Sequence, residues 1–136
     1  MILSVKTRET TELVDITSDI NRLVQESGVD KGLCMLYVPH TTAAVTINES
    51  ADPSVKSDML KIINQIIPWE DGYRHLEGNS AAHIKTTLVG SSELIAIENN
   101  QLALGTWQGI FFCEFDGPRS RKLQVRMIKE RFPLCQ

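Results

Sequence analysis

The chain has 136 residues, with fourteen Lys and Arg against seventeen Asp and Glu and a formal net charge of -3. That length suits a single domain, 1–136, able to bury a core without disulfide staples. The charge balance excludes the domain-wide positive field of a nucleic-acid binder. Apolar residues make up 42% and charged residues 23%, the ordinary composition of a globular protein. The run Arg119, Arg121, Lys122, Arg126, Lys129, Arg131 is basic against the lone acid Glu130 and reads as a strand with solvated basic positions. No apolar stretch approaches the roughly 20 residues needed to cross a bilayer. The N-terminus alternates and then turns polar, unlike a signal peptide, so the expected location is the cytoplasm.

In chain order, Ile2 to Arg8 and Thr11 to Ile16 are rich in β-branched residues and read as two strands of a hairpin across Glu9-Thr10. Thr17 or Ser18 then caps a helix with Ile20, Leu23 and Val24 on one face, and Gly28 ends it. Leu33 to Val38 is an unbroken apolar run, the pattern of a buried strand, and Pro39 stops its ladder. Ala44 to Asn48 reads as the next strand. Asp52-Pro53 opens a helix, with aspartate as cap and proline at the first position, carrying Val55, Met59, Ile62, Ile63 and Ile66 up to Pro68. Trp69 to Gly78 is a loop. Asn79 or Ser80 caps a short helix toward Val89, with Gly90 at a left-handed end. From there the pattern is β: Leu94 to Ile97, Leu102 to Leu104, Trp107 to Phe115 and Leu123 to Lys129. These elements predict an α+β fold, with mixed or antiparallel sheets forming a sandwich-like core and two principal helices plus a short one.

Chemistry concentrates in three windows. The first two hold every histidine: His40 in Pro39-His40-Thr41-Thr42, then His75 and His83 on either side of Glu77-Gly78-Asn79. His75 and His83 are too far apart for one helical turn, but Gly78-Asn79 permits a reversal between them. His83 then falls in the first turn of a helix, whose positive end favours the neutral ring that ligates metals. Three imidazoles with an open fourth position describe a catalytic zinc site, and Glu77 is placed to ligate or to orient a ring. Thr41 and Asn79 flank the histidines as ligand contacts. Glu49 precedes the Asp52 cap without a basic neighbour, as a candidate base or metal ligand, while Asp58 reads as solvent-facing. Carboxylates near a phosphorylated ligand also suit Mg.

The third window, Glu114-Phe115-Asp116-Gly117-Pro118-Arg119-Ser120-Arg121, is a turn that projects two guanidiniums. On one strand face, Arg119 and Arg121 would clamp a phosphate or diphosphate; alternatively they pair with Glu114 and Asp116. Upstream, Trp107 and Gln108 would stack on and hydrogen-bond a flat heterocycle, or Trp107 is core. Cys34, Cys113 and Cys135 form no metal or disulfide pattern, and Cys34 and Cys113 sit in apolar runs as small hydrophobes.

Together, His40-Thr41-Thr42-Ala43-Ala44 with Asn48-Glu49, His75 through Gly78-Asn79 to His83-Ile84-Lys85, Leu104-Gly105-Thr106-Trp107-Gln108 and Glu114-x-Asp116-Gly117-Pro118-Arg119-x-Arg121 resemble the YjbQ family (UPF0047). The resemblance implies a compact α+β trimer with a metal at His40, His75 and His83. It also implies a weak thiamine-phosphate synthase activity, which joins a hydroxymethylpyrimidine diphosphate to a thiazole phosphate and expels diphosphate. In that reading the arginines and a divalent ion neutralise the diphosphate, and Trp107 with Gln108 holds the pyrimidine. Two alternatives stand beside it. One is a zinc-dependent hydrolase of esters or phosphoesters with Glu49 or Glu77 as base; the other is a non-catalytic trimeric binding protein.

Overall fold

The computed structural model describes residues 1–131, so Cys135 lies outside the described residues. The element order is β1 (Ile2–Lys6), β2 (Glu12–Asp15), α1 (Thr17–Ser27), β3 (Gly32–Tyr37), β4 (Ala43–Glu49), α2 (Pro53–Ile66), α3 (Ser80–Val89), β5 (Ser92–Glu98), β6 (Gln101–Leu102), β7 (Gln108–Glu114) and β8 (Ser120–Lys129). The strands form two antiparallel sheets, one ordered β1-β8-β3-β5-β6 and the other β2-β7-β4. This is the α+β sandwich that the element pattern predicts.

The expected β1–β2 hairpin does not form. β1 pairs with β8, while β2 pairs with β7 in the other sheet. A two-stranded ribbon on its own is marginal in water, so each strand takes the longer partner that also buries its apolar side. The chain crosses between the sheets at Thr7–Thr11, and that crossing later matters for Thr7.

One apolar cluster fills the space between the sheets and α1, with Ile20, Val24, Leu36, Val45, Phe112, Leu123 and Val125 buried in it. A second, built on Leu13, Ala44, Phe111, Cys113 and Phe115, lies on the opposite face of β2-β7-β4, beneath α2 and α3. That sheet is therefore covered on both sides, which is why Ile110 to Cys113 are apolar without alternation. β3 differs from expectation. Its apolar run sits at the centre of the five-stranded sheet, but only alternate residues are buried, and Leu33 and Tyr37 face outward. Leu94 and Ile128 join them on that bare face.

Of three local readings, one holds and two shift. Asp52 caps α2 as expected, its carboxylate accepting from the Ser54 amide at 2.9 Å. α1 takes no side-chain cap from Thr17 or Ser18; the Thr17 hydroxyl instead accepts the Ile110 amide at 2.8 Å, tying the helix to β7. Gly90 has φ 103 and ψ 158, positive but not the left-handed helical end expected.

α2 holds none of its fourteen residues fully buried, and Ile62 and Ile66 are exposed. Beside the apolar cluster it shares with α3, a polar bond links the two helices: Lys85, on α3, donates to Asn64 Oδ1 at 2.6 Å. Lys85 is only 2% exposed, and none of the described ion pairs includes it. Burial accordingly pushes its ammonium below the usual lysine range. Lys85→Met keeps the buried length while removing a desolvated charge and leaves Asn64 at the surface, where water replaces the lost bond. We expect it to raise stability by about 1 kcal/mol in urea denaturation. A lowered lysine pKa also means that wild-type stability climbs as pH rises toward 10.5, because the unfolded chain holds that proton longer. The Met variant should lose that slope, and retaining it would show that the charge is not desolvated.

Candidate functional site

The site is built where β3 ends and β4 begins. Pro39 terminates the β3 ladder and delivers His40 and Thr41 to a cleft whose other wall is the face of α3 carrying His83, Thr86 and Thr87. Tyr37, Val38, Gly90 and Ser91 complete the lining of a cavity of about 610 Å3. His40 and His83, widely separated in sequence, therefore share one cleft. His75 sits behind His83, with ring centres 5.4 Å apart and planes nearly perpendicular at 81°.

His40 has a fixed role in hydrogen bonding. Its Nε2 accepts the backbone N–H of Lys122 at 3.0 Å, so the proton of the neutral ring resides on Nδ1. Burial, and then the Arg121 charge, hold its pKa below the ordinary histidine value. The ring thus presents a donor, with its lone pair already used.

Beneath His40 lies a buried polar knot. Arg121 engages Glu114 through two nitrogens, Nε to Oε1 at 2.8 Å and Nη2 to Oε2, and Nη2 also donates to Thr42 Oγ1 at 2.8 Å. Thr7, arriving from the sheet crossing, donates to Glu114 Oε1 at 2.7 Å and accepts the Arg119 amide at 2.8 Å. Arg121 is 5% exposed and Glu114 is fully buried. Burial alone would push the Glu114 carboxyl up, but the bonds from Arg121, the Asp116 amide and Thr7 outweigh it and hold it below the usual range.

The two arginines do not share a face. Arg119 precedes β8, in the turn, and binds Asp116 Oδ2 at 3.0 Å, while Arg121 points inward on β8. The pairing with Glu114 and Asp116 that the sequence offered as an alternative to a clamp is the geometry present. Asn79 belongs to this end as well: its Nδ2 donates to Asp116 Oδ2 at 2.9 Å instead of its side chain capping α3. A close approach explains Gly117, since a Cβ there would lie 2.2 Å from the Glu9 carbonyl oxygen. Glu77 lies exposed in the turn before α3.

Glu49, Trp107 and Gln108 are elsewhere. In the β4–β7 ladder Ala43 pairs with Glu114 at the cleft end, and Glu49 pairs with Gln108 at the other. Six strand steps separate the ends, roughly 20 Å at about 3.3 Å per residue. Trp107 is neither core nor cleft: it is 64% exposed in the turn before β7, and Gln108 Oε1 accepts the Gly105 amide at 2.8 Å.

As a metal site the histidines fit in part. Two imidazoles on one tetrahedral zinc stand with ring centres roughly 5 Å apart, which matches the His75–His83 pair. His40 does not fit, because its free nitrogen carries the proton. Among the described residues no three His, Cys, Asp or Glu side chains are gathered closely enough to hold an ion. The thiols are not alternatives, since burial pushes Cys34 up to about 11 and, with Glu93 nearby, Cys113 up to about 12.

Comparison with known proteins gives this arrangement its relatives. A family model described as UPF0047 protein YjbQ-like matches residues 1–130. The chain belongs to the YjbQ family. The UPF0047 protein YugU of Bacillus subtilis is 50% identical over 127 residues, covering 93% of this chain and 96% of that one. The UPF0047 protein MJ1081 of Methanocaldococcus jannaschii is 53% identical over 127 residues, covering 93% and 92%. Among solved structures, a YjbQ/UPF0047 family protein from Clostridium acetobutylicum superposes with a TM-score of 0.92 at 51% identity, covering 94% of this chain and 99% of that one. A protein from Sulfolobus solfataricus gives a TM-score of 0.91 at 33% identity, with 96% of each covered. No helix of the described residues is long and apolar enough to cross a membrane.

Sequence reasoning named His40, His83 and Thr41 but missed Tyr37, Thr86 and Ser91 in the cleft, and Thr7 beneath it. The first three have no chemical signature of their own. Thr7 carried one faint signal, a hydroxyl at the polar break between two strands.

Proposed function

We propose that this YjbQ-family protein is a cytoplasmic, homotrimeric enzyme that binds a phosphorylated small molecule in the His40–His83 cleft and promotes its reaction by hydrogen-bonding to the departing anion. The observation that carries the reading is the pair of imidazoles on one cavity, with His40 held as a neutral Nδ1–H donor. A cavity of about 610 Å3 suits one heterocyclic phosphate. The reaction favoured by the family resemblance is the joining of a hydroxymethylpyrimidine diphosphate to a thiazole phosphate. In it the thiazole nitrogen forms its bond to the pyrimidine methylene carbon as the C–O bond to diphosphate breaks, His40 Nδ1–H hydrogen-bonds to an oxygen of the departing diphosphate, and His83 contacts the substrate from the opposite wall. Arg119 and Lys122 flank this end and supply positive charge; Arg121 acts indirectly, by holding Glu114 and Thr42 in place. A divalent metal, Zn on His75 and His83 or Mg carried with the substrate, would supply further neutralisation of the diphosphate. The bare apolar face carrying Leu33, Tyr37, Leu94 and Ile128 supports assembly into an oligomer.

A second reading, metal-dependent hydrolysis of a phosphoester, is favoured by the His75–His83 spacing. Purified protein is to be assayed for diphosphate release from the two thiamine precursors, for hydrolysis of a phosphoester panel, and for bound metal by mass spectrometry. Synthase chemistry predicts that His83→Ala and Arg119→Ala both lose activity, whereas hydrolysis predicts a loss mainly with His83→Ala. Full activity in both variants would remove this cleft from the reaction.

A further inference from the structure

Trp107 is anomalous for an unpartnered surface residue. Its turn is rigid: the Ser50 amide donates to the Trp107 carbonyl at 2.9 Å, and Gln108 bonds Gly105 through both its backbone N–H, at 3.1 Å, and its side chain. A large indole held out at 64% exposure on a braced turn is pre-ordered for contact and loses little entropy on docking. It cannot reach the cleft of its own chain, which lies at the far end of the sheet by register.

We infer that the cleft is completed by a second copy of this chain, whose Trp107 turn docks head-to-tail at its mouth. This rests on the cleft reading above. The landing surface is apolar beside the cavity: Tyr37 lines the cleft, and it adjoins Met35 and Leu94 on the outer face of the five-stranded sheet, with Tyr37 and Leu94 exposed. Charges match as well. Glu49, opposite Gln108, and Asp52, two residues beyond the Ser50 that bonds Trp107, stand at the Trp107 end, while Lys122 and Arg126 stand on the outer face of β8, where Arg126 pairs with Met35. A head-to-tail contact of this kind joins two different surfaces, and it places one aromatic wall from each neighbour over each pair of imidazoles. The indole face then stacks on the flat ring of a substrate whose phosphate lies toward His40 and Lys122.

The test uses full-length protein with p-benzoylphenylalanine in place of Trp107, prepared as an equal mixture of 14N- and 15N-labelled chains. After irradiation, digestion and mass spectrometry, the expected product is a mixed-isotope crosslink from position 107 to peptides containing 33–41 or 83–94 of another chain. Trp107→Ala should in parallel weaken self-association about tenfold or more in sedimentation equilibrium. A crosslink within the same chain, a crosslink to any other segment, no crosslink, or unchanged self-association in Trp107→Ala overturns the inference. No substrate is present, so this outcome is read separately from loss of cleft chemistry in the histidine variants.

Discussion

Arg121→Met should destabilise the protein by about 3–5 kcal/mol, the cost of leaving a buried carboxylate without its cation. Glu114 is fully buried and would keep only the Thr7 hydroxyl and the Asp116 amide, while Thr42 would lose its donor. Urea denaturation measures the loss. The double variant Arg121→Met with Glu114→Gln should recover part of it, because no buried charge then remains. A loss below about 1 kcal/mol would mean that water reaches the pair and screens it. Acid gives an independent reading. The Glu114 pKa is depressed in the folded state, so its contribution is complete above the ordinary carboxylate value of 4.5 and is lost as pH falls through the folded value. Wild-type protein should therefore lose stability in that acid window, and the double variant should lose less.

The second large effect is expected at His40. His40→Ala should lower turnover about 10²- to 10³-fold, the range for removing one positioned hydrogen-bond donor to developing negative charge. Its thermal midpoint should change little, since the ring is only partly buried and the Lys122 amide it frees lies at the surface. The pH dependence follows from the same bond. Protonation would put an N–H on Nε2, facing the Lys122 N–H, so the folded protein resists it and the pKa lies below 6.5. The unfolded chain takes up that proton first, so stability and turnover both hold above 6.5 and fall as pH drops through the lower folded value. Nitrogen-15 NMR of the imidazole should show the Nδ1–H tautomer. Finding the proton on Nε2, or unchanged turnover in the alanine variant, would end the role assigned to His40.

Much of the fold was legible because local chemistry sufficed. Asp52-Pro53 announced α2, Gly28 closed α1 at φ 72, and Pro39 ended β3, each through a backbone preference that acts within a few residues. The pairing partners of β1 and β2 were not legible, because hydrogen bonding between strands is fixed by what lies across the fold. The site divided in the same way. His40 and His83 were nameable from residue type and flanking loops, whereas the tautomer of His40 depends on a backbone amide from β8.

The guanidiniums show the boundary most sharply. Sequence alone determined that acids and arginines crowd a turn at Asp116-Gly117-Pro118, and the motifs there are specific enough to mark the family. Only the tertiary structure decided that Arg121 turns inward to Glu114 while Arg119 stays at the surface, and that Trp107 stands a whole strand-length from the histidines. The reason is physical: alternation along a strand assigns faces, but which face is covered, and which strand end meets which loop, follows from long-range packing of two sheets.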